Sequence, residues 1–128
     1  MPLYNTATTA TALNVSPKWL DNLLSHNDLT GVQSESQGVS RRLPLSTVVT
    51  VALTKQLIDG LGLSAGTAVR LAEELTRNSD GNGDREVALS PHLRLGVELG
   101  SLRSSIVDQL SHAVETAPSP RRGRPPKR

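Results

Sequence analysis

The sequence contains no phenylalanine and no cysteine, and its 128 residues include one tryptophan and one tyrosine. A folded domain therefore has to build its core from leucine, valine, alanine and isoleucine. The absence of cysteine excludes disulfide bonds, thiolate zinc sites and thiol-based redox sensing. A chain of this length is sufficient for one compact domain with an appendage.

The first apolar segment, "TTATALNVSPKWLDNLLSH", predicts two short helices joined by a tight turn. Ser16 is a favourable N-cap for the second helix, and Pro17 suits its first position because the missing N–H would have no helical partner there. We expect this helix to span residues 17–25. Its leucines recur at helical spacing and should face inward: Leu20, Leu23 and Leu24.

Two further helices follow in the middle of the sequence. "STVVTVALTKQLIDG" predicts a helix that begins near Ser46 and ends at Gly60 as a C-cap. "LGLSAGTAVRLAEELT" predicts a helix with Ser64 as its N-cap. Its apolar positions should pack inward: Ala68, Leu71, Ala72 and Leu75.

Alternating and glycine-bounded segments predict β-structure in two places. In "NDLTGVQSESQGVSRRLPL", two glycines bracket a polar stretch with Val32 and Val39 at its edges, which is typical of a small hairpin or loop. "EVALSPHLRLGVEL" predicts two antiparallel strands with a turn at Ser90, Pro91 and His92. The following segment, "GSLRSSIVDQLSHAVETA", predicts a helix with a narrow apolar seam that suits a partner helix. Its members are Leu99, Leu102, Ile106, Leu110 and Ala113.

The order helix, turn, helix, glycine-bounded hairpin, helix, helix resembles the MerR-like winged-helix family of bacterial DNA-binding proteins. The matching stretches are "LNVSPKWL", "GVSRRLPLS" and "LGLSAGTAVRL", and they lie within residues 6–77. The resemblance implies that the second helix enters a major groove while the wing contacts the flanking backbone. It thereby assigns four residues to DNA binding: Lys18, Asn22, Arg41 and Arg42.

Charge is distributed unevenly along the chain. Residues 1–117 carry nine lysines and arginines against twelve acidic residues, a net charge of −3, whereas "PSPRRGRPPKR" at residues 118–128 carries +5. Such asymmetry indicates a basic arm for a polyanion.

The "RGRP" at residues 122–125 resembles the core of an AT-hook. A glycine lets the backbone reach the floor of a narrow, electronegative A/T-rich minor groove, while the flanking arginines extend along it. Guanine's exocyclic amine would obstruct that depth, and the prolines favour an extended chain. The expected contacts with the groove come from Arg121, Arg122, Gly123, Arg124 and Pro125.

The sequence predicts a mainly α, α+β protein divided into four parts. These are a MerR-like winged helix-turn-helix at residues 1–77, a linker at 78–84, a hairpin and helix at 85–116 as a candidate dimerisation element, and a disordered AT-hook-like tail at 117–128. The expected function is that of a transcriptional regulator or nucleoid-associated protein in the bacterial cytoplasm. Its expected partners are double-stranded, A/T-rich DNA and a second copy of the chain.

We expect no cofactor, no metal, no small-molecule effector and no membrane partner. We also expect no enzymatic activity, because the sequence contains no phosphate-binding loop, nucleophile elbow or paired-carboxylate pattern. His26, His92 and His112 lack metal-ligand spacing and are interpreted as surface or interface residues. Trp19 is interpreted as a packing residue.

An alternative is an antitoxin-like or adaptor protein that binds another protein through its acidic body. It is favoured by Asp21, Asn22 and Leu23 in the second helix, where the MerR-like family usually carries Arg-Tyr-Tyr. The tail would then be a solubilising segment or a nuclear-import signal. Arg41 and Arg42 would be a solvated pair beside a turn.

Overall fold

The computed structural model describes residues 3–27, 29–33, 41–77 and 83–116. Within these residues the chain forms five helices and four short strands, so a mainly helical α+β fold is confirmed. In chain order the elements are β1 (Leu3–Asn5), α1 (Thr6–Leu13), α2 (Pro17–His26), β2 (Arg42–Pro44), α3 (Leu45–Leu61), α4 (Ala65–Thr76), β3 (Asp84–Ser90), β4 (Leu93–Glu98) and α5 (Leu99–Thr116).

Helix α3 lies at the centre of the core. Nine of its residues between Thr47 and Leu57 are buried, as expected of a helix that is covered on most sides. It packs against α4, α5 and β2, while α1 packs against α2 and α5. Buried threonines on α3 satisfy their hydroxyls locally: Thr50 donates to Ser46 O at 3.0 Å and Thr54 donates to Thr50 O at 2.8 Å.

The predicted end of the third helix at Gly60 is wrong, since α3 continues to Leu61. Gly62 terminates it with a left-handed backbone (φ +71°), and its N–H donates to Ile58 O at 2.9 Å. Leu63 then packs against the core, which fixes the position at which the chain leaves the helix. At the other end, α3 begins at Leu45, one residue before Ser46.

Strand β2 lies between two partners. Its antiparallel neighbour on one side is β1, with Leu3 opposite Pro44 and Asn5 opposite Arg42. On its other side, Gln33 forms an antiparallel bridge with Arg42. The sequence predicted strand edges at Val32 and Val39 and no strand at residues 3–5. The observed bridge is at Gln33, and Val39 lies outside the described residues.

The second antiparallel pair confirms the predicted hairpin. β3 and β4 flank a turn at Pro91 and His92, with Asp84 opposite Glu98 and an irregularity between Ala88 and Ser90. Val87, Leu95 and Val97 pack against the core. Near the turn, Leu89 and Leu93 are 44% and 57% exposed.

Helix α5 buries its apolar seam inside the same chain. Leu99, Ile106, Leu110 and Ala113 are at most 3% exposed, and α5 packs against α1 and α3. The sequence had suggested that this seam meets a partner helix. The helices that meet it here are α1 and α3, and burying one such leucine contributes about 1.5–3 kcal/mol. None of the helices in the described part of the chain combines the length and hydropathy that a membrane span requires.

Candidate nucleic-acid interface

A tight turn fixes α2 relative to α1. Asn14 ends α1 with a left-handed backbone (φ 58°, ψ 45°) that its short polar side chain tolerates. Val15 N–H then donates to Ala10 O at 3.0 Å, and Ser16 Oγ accepts from Trp19 N–H at 3.0 Å. The predicted N-cap at Ser16 is therefore confirmed, and α2 extends one residue beyond the predicted end, to His26.

Helix α2 has one buried face and one polar face. Leu20, Leu23 and Leu24 are buried. The outer face carries four exposed side chains at the i, i+3, i+4, i+7 spacing of neighbours on a helix: Lys18, Asp21, Asn22 and Ser25. Two of the residues assigned to DNA, Lys18 and Asn22, thus lie one turn apart on the same surface.

Arg41 lies against this outer face of α2. Its Nη2 donates to Ser25 Oγ at 3.2 Å, and its Nη1 is 3.8 Å from Asp21 Oδ1. Asp21 and Ser25 are one turn apart, so the guanidinium lies along the helix surface. Three of the residues that the sequence assigned to DNA, Lys18, Asn22 and Arg41, are therefore brought together at α2.

Arg42 points away from this surface. Its N–H donates to Gln33 O at 2.8 Å and its carbonyl accepts from Gln33 N–H at 2.9 Å. Its backbone therefore lies between Gln33 on one side and β1 on the other. Leu43 next to it is fully buried, whereas Arg42 is exposed. Successive side chains of an extended strand face opposite sides. Arg41 therefore shares its side with Leu43, and Arg42 lies on the opposite side.

Sequence reasoning missed one cation near α2. Trp19 is half-buried and packs against the core, as the sequence indicated. Lys55 of α3 lies over its ring, with Nζ 5.8 Å from the ring centre, and also pairs with Asp59 at 2.6 Å. The i, i+4 spacing of Lys55 and Asp59 is visible in the sequence, but the contact with Trp19 joins residues far apart in the chain and depends on the fold.

Several predicted features lie outside the described residues. These are the tail residues Arg121, Arg122, Gly123, Arg124 and Pro125, and the part of the hairpin at residues 34–40. Within the described residues, no group of three or more His, Cys, Asp or Glu side chains is placed to hold a metal ion.

A groove lies between α3, β4 and α5, on a different part of the molecule. It has a volume of about 630 Å³. Its lining includes Leu57, Leu61, Leu95, Leu102 and Ile106, with Gln56, Glu98 and Gln109 among the polar residues. Leu61 is 52% exposed.

Comparison with known proteins gives no assignment. No protein family matches the sequence, and no curated protein matches it significantly.

Proposed function

We propose that this chain is a DNA-binding protein, a transcriptional regulator or nucleoid-associated protein, that contacts a major groove with α2 and an A/T-rich minor groove with its tail. The observation that carries the proposal is the polar outer face of α2, with Arg41 laid against it. A major groove admits one α-helix, and lysine and asparagine are suited to the base edges of guanine and adenine. Lys18 and Asn22 are positioned for such contacts by the fixed turn at Asn14.

The surroundings of α2 support a winged arrangement. Gln33 forms an antiparallel bridge with Arg42, next to the Arg41 that contacts α2, and β1 pairs with β2 on its other side. In this proposal Arg42, on the side away from α2, contacts backbone phosphate. Arg41 belongs to the α2 surface.

The tail contributes most of the electrostatic attraction. Residues 1–117 have a net charge of −3, whereas residues 118–128 have +5. A tethered second contact raises the effective concentration of the first, so α2 and the tail together bind more tightly than either does separately. A homodimer would place two such units on two-fold related half-sites.

The proposal is tested by measuring the affinity of the full chain for A/T-rich and G/C-rich duplexes over a range of salt concentrations. Two variants are compared with it: R122A/R124A and a chain that ends at residue 117. Each phosphate contact contributes about 0.9 to the slope of log K against log salt. Loss of the five tail cations should flatten that slope by as much as ~4, and both variants should lose their preference for A/T-rich duplexes.

Retention of the full slope and of the A/T preference by R122A/R124A would refute the role of the tail. The role of α2 is tested separately by K18A and N22A. Both residues are exposed, so these variants should keep the stability of the parent while their affinity falls. A matched control is Arg70→Ala, which removes an exposed cation from α4.

A protein-interaction module remains the second candidate, because the groove between α3, β4 and α5 contains the half-exposed Leu61 within a mixed polar and apolar lining. Burial of such a leucine by a partner would be favourable. The duplex measurement separates the two functions. Failure of the full chain to bind any duplex, even at low salt, would favour the interaction module.

A further inference from the structure

The outer face of α2 contains an internal partner for Arg41. Asp21 Oδ1 is 3.8 Å from Arg41 Nη1, and Ser25 Oγ accepts a hydrogen bond from Nη2 at 3.2 Å. The Arg41 side chain is 32% exposed and the Asp21 side chain is 57% exposed. The guanidinium is thus held on the surface that would face DNA, and the carboxylate beside it is open to solvent.

The backbone of Arg41 is fixed independently of this ion pair. Leu43, two residues later, is fully buried, and the intervening Arg42 is bonded to Gln33 on one side and lies opposite Asn5 on the other. Arg41 directly precedes β2, so the backbone pairing of Arg42 and the burial of Leu43 fix the chain from which its side chain extends. Removal of Asp21 should therefore release the guanidinium without moving the backbone that carries it.

A carboxylate and a phosphate use the same features of an arginine. Both accept parallel hydrogen bonds from the guanidinium and neutralise its charge. A phosphate that approaches the guanidinium therefore has to compete with a carboxylate that already lies beside it. An exposed ion pair favours the paired over the separated side chains by a factor of no more than about five in the equilibrium constant. A phosphate can therefore displace the carboxylate.

We propose that Asp21 competes with DNA phosphate for Arg41 and thereby lowers the affinity of the α2 surface for DNA. This inference rests on the proposed DNA-binding function and deepens it. Asp21 acts through Arg41 and is therefore a positioning residue. In the free protein its carboxylate lies 3.8 Å from Nη1, where it partly neutralises the charge that a phosphate would use. On binding, a DNA phosphate replaces the carboxylate at the guanidinium, and the lost ion pair reduces the net free energy gained on DNA binding.

The test is a double-mutant cycle in the full-length chain. D21N removes the negative charge with little change in shape, and it is compared with the parent, R41A and D21N/R41A. Affinity for one A/T-rich duplex is measured by fluorescence anisotropy over a series of salt concentrations. D108N is the matched control, since Asp108 is an exposed acidic residue on α5. Thermal unfolding verifies that each variant is folded.

We expect D21N to tighten binding by roughly two- to fivefold, because the guanidinium no longer has to leave a carboxylate before it meets a phosphate. In the R41A background the same substitution should have a clearly smaller effect, because only the general removal of negative charge remains. D108N should produce no more than that smaller effect.

Equal effects of D21N with and without Arg41 would overturn the inference, and so would weaker binding by D21N. In either case the duplex would still be bound by the parent, so the proposed function would stand. Absence of binding by the parent at low salt would overturn the proposed function and this inference together.

Discussion

At Gly31 a single added methyl group should cost considerable stability. Its φ is +94°, in the region that favours glycine, and a Cβ placed on it would lie 2.5 Å from Thr47 Oγ1 and 3.2 Å from Pro44 Cγ. Thr47 is 2% exposed, and its hydroxyl donates to Thr30 O at 2.7 Å. The hydroxyl therefore has little freedom to move away.

The expected cost of Gly31→Ala has two parts. Forcing alanine into the left-handed region costs about 1–2 kcal/mol. Displacing the Thr47 hydroxyl from Thr30 O costs about 1 kcal/mol more. We therefore expect a loss of about 2–3 kcal/mol, measured by urea unfolding followed by far-ultraviolet circular dichroism. At ~4 °C per kcal/mol, Tm should fall by about 8–12 °C.

Two other glycines separate these contributions. Gly62 also has a positive φ, +71°, but a Cβ there would meet nothing within 4 Å, so G62A should cost only the backbone part. Gly60 lies within α3 and is also open, so G60A should stabilise the protein by about 0.5–1 kcal/mol. In a T47A background the contact with Oγ1 is gone, and the cost of G31A should fall toward that of G62A. If G31A cost no more than G62A, the steric reasoning would be refuted.

Three further substitutions test local caps and the packing of α5. Ser16→Ala should destabilise the protein by about 1 kcal/mol in urea unfolding, because Ser16 Oγ accepts from Trp19 N–H at 3.0 Å. Ser64→Ala should cost less, because Ser64 Oγ accepts from Thr67 N–H at the longer distance of 3.4 Å. A larger cost for Ser64→Ala than for Ser16→Ala would contradict the capping geometry. Leu110 is 1% exposed, so L110A should cost about 2–5 kcal/mol. A much smaller loss in urea unfolding would contradict the burial of Leu110 in the core.

Signals that lie within a few residues of each other were sufficient to predict most elements. Ser16 and Pro17 locate the start of α2 and Ser64 that of α4, because a cap acts on the backbone three residues away. The alternation in β3 and β4 gave the hairpin, since its partner strands are adjacent in the sequence. These elements are determined by local chemistry.

Elements that depend on distant partners were not predictable in this way. β1 has three residues, too few for an alternating pattern, and it is a strand only because Arg42, Leu43 and Pro44 lie beside it. Helical spacing correctly identified the buried face of α5, yet it contains no information about whether another helix of the chain or another subunit covers that face. The contact of Arg41 with Asp21 likewise depends on residues 20 positions apart.

The segment "STVVTVALT" shows how tertiary packing overrides residue preference. It is rich in valine and threonine, which favour strands, yet it forms the first half of α3. Its valines are buried on most sides by neighbouring elements, which offsets their weak helix propensity. Thr50 and Thr54 bond to carbonyls four residues earlier and bring no unsatisfied hydroxyl into the core. The helical spacing of Val49, Leu53 and Leu57 was a better guide than composition.

Under the proposed DNA-binding function, the charges at α2 imply that its contribution to DNA affinity is small and that the tail supplies most of it. Lys18 and Arg41 are offset in part by Asp21, and residues 1–117 as a whole have a net charge of −3, which opposes association with DNA. A chain that ends at residue 117 should therefore bind duplexes only weakly, with Kd of about 10⁻⁴ M or higher at physiological salt, the weak end of non-specific binding. The specificity of α2 would then become measurable only when the tail holds the protein on DNA, so K18A and N22A should reduce affinity clearly in the full chain. Equally tight binding by the shortened chain would show that α2 and its surroundings are sufficient, and would contradict this division between the two contacts.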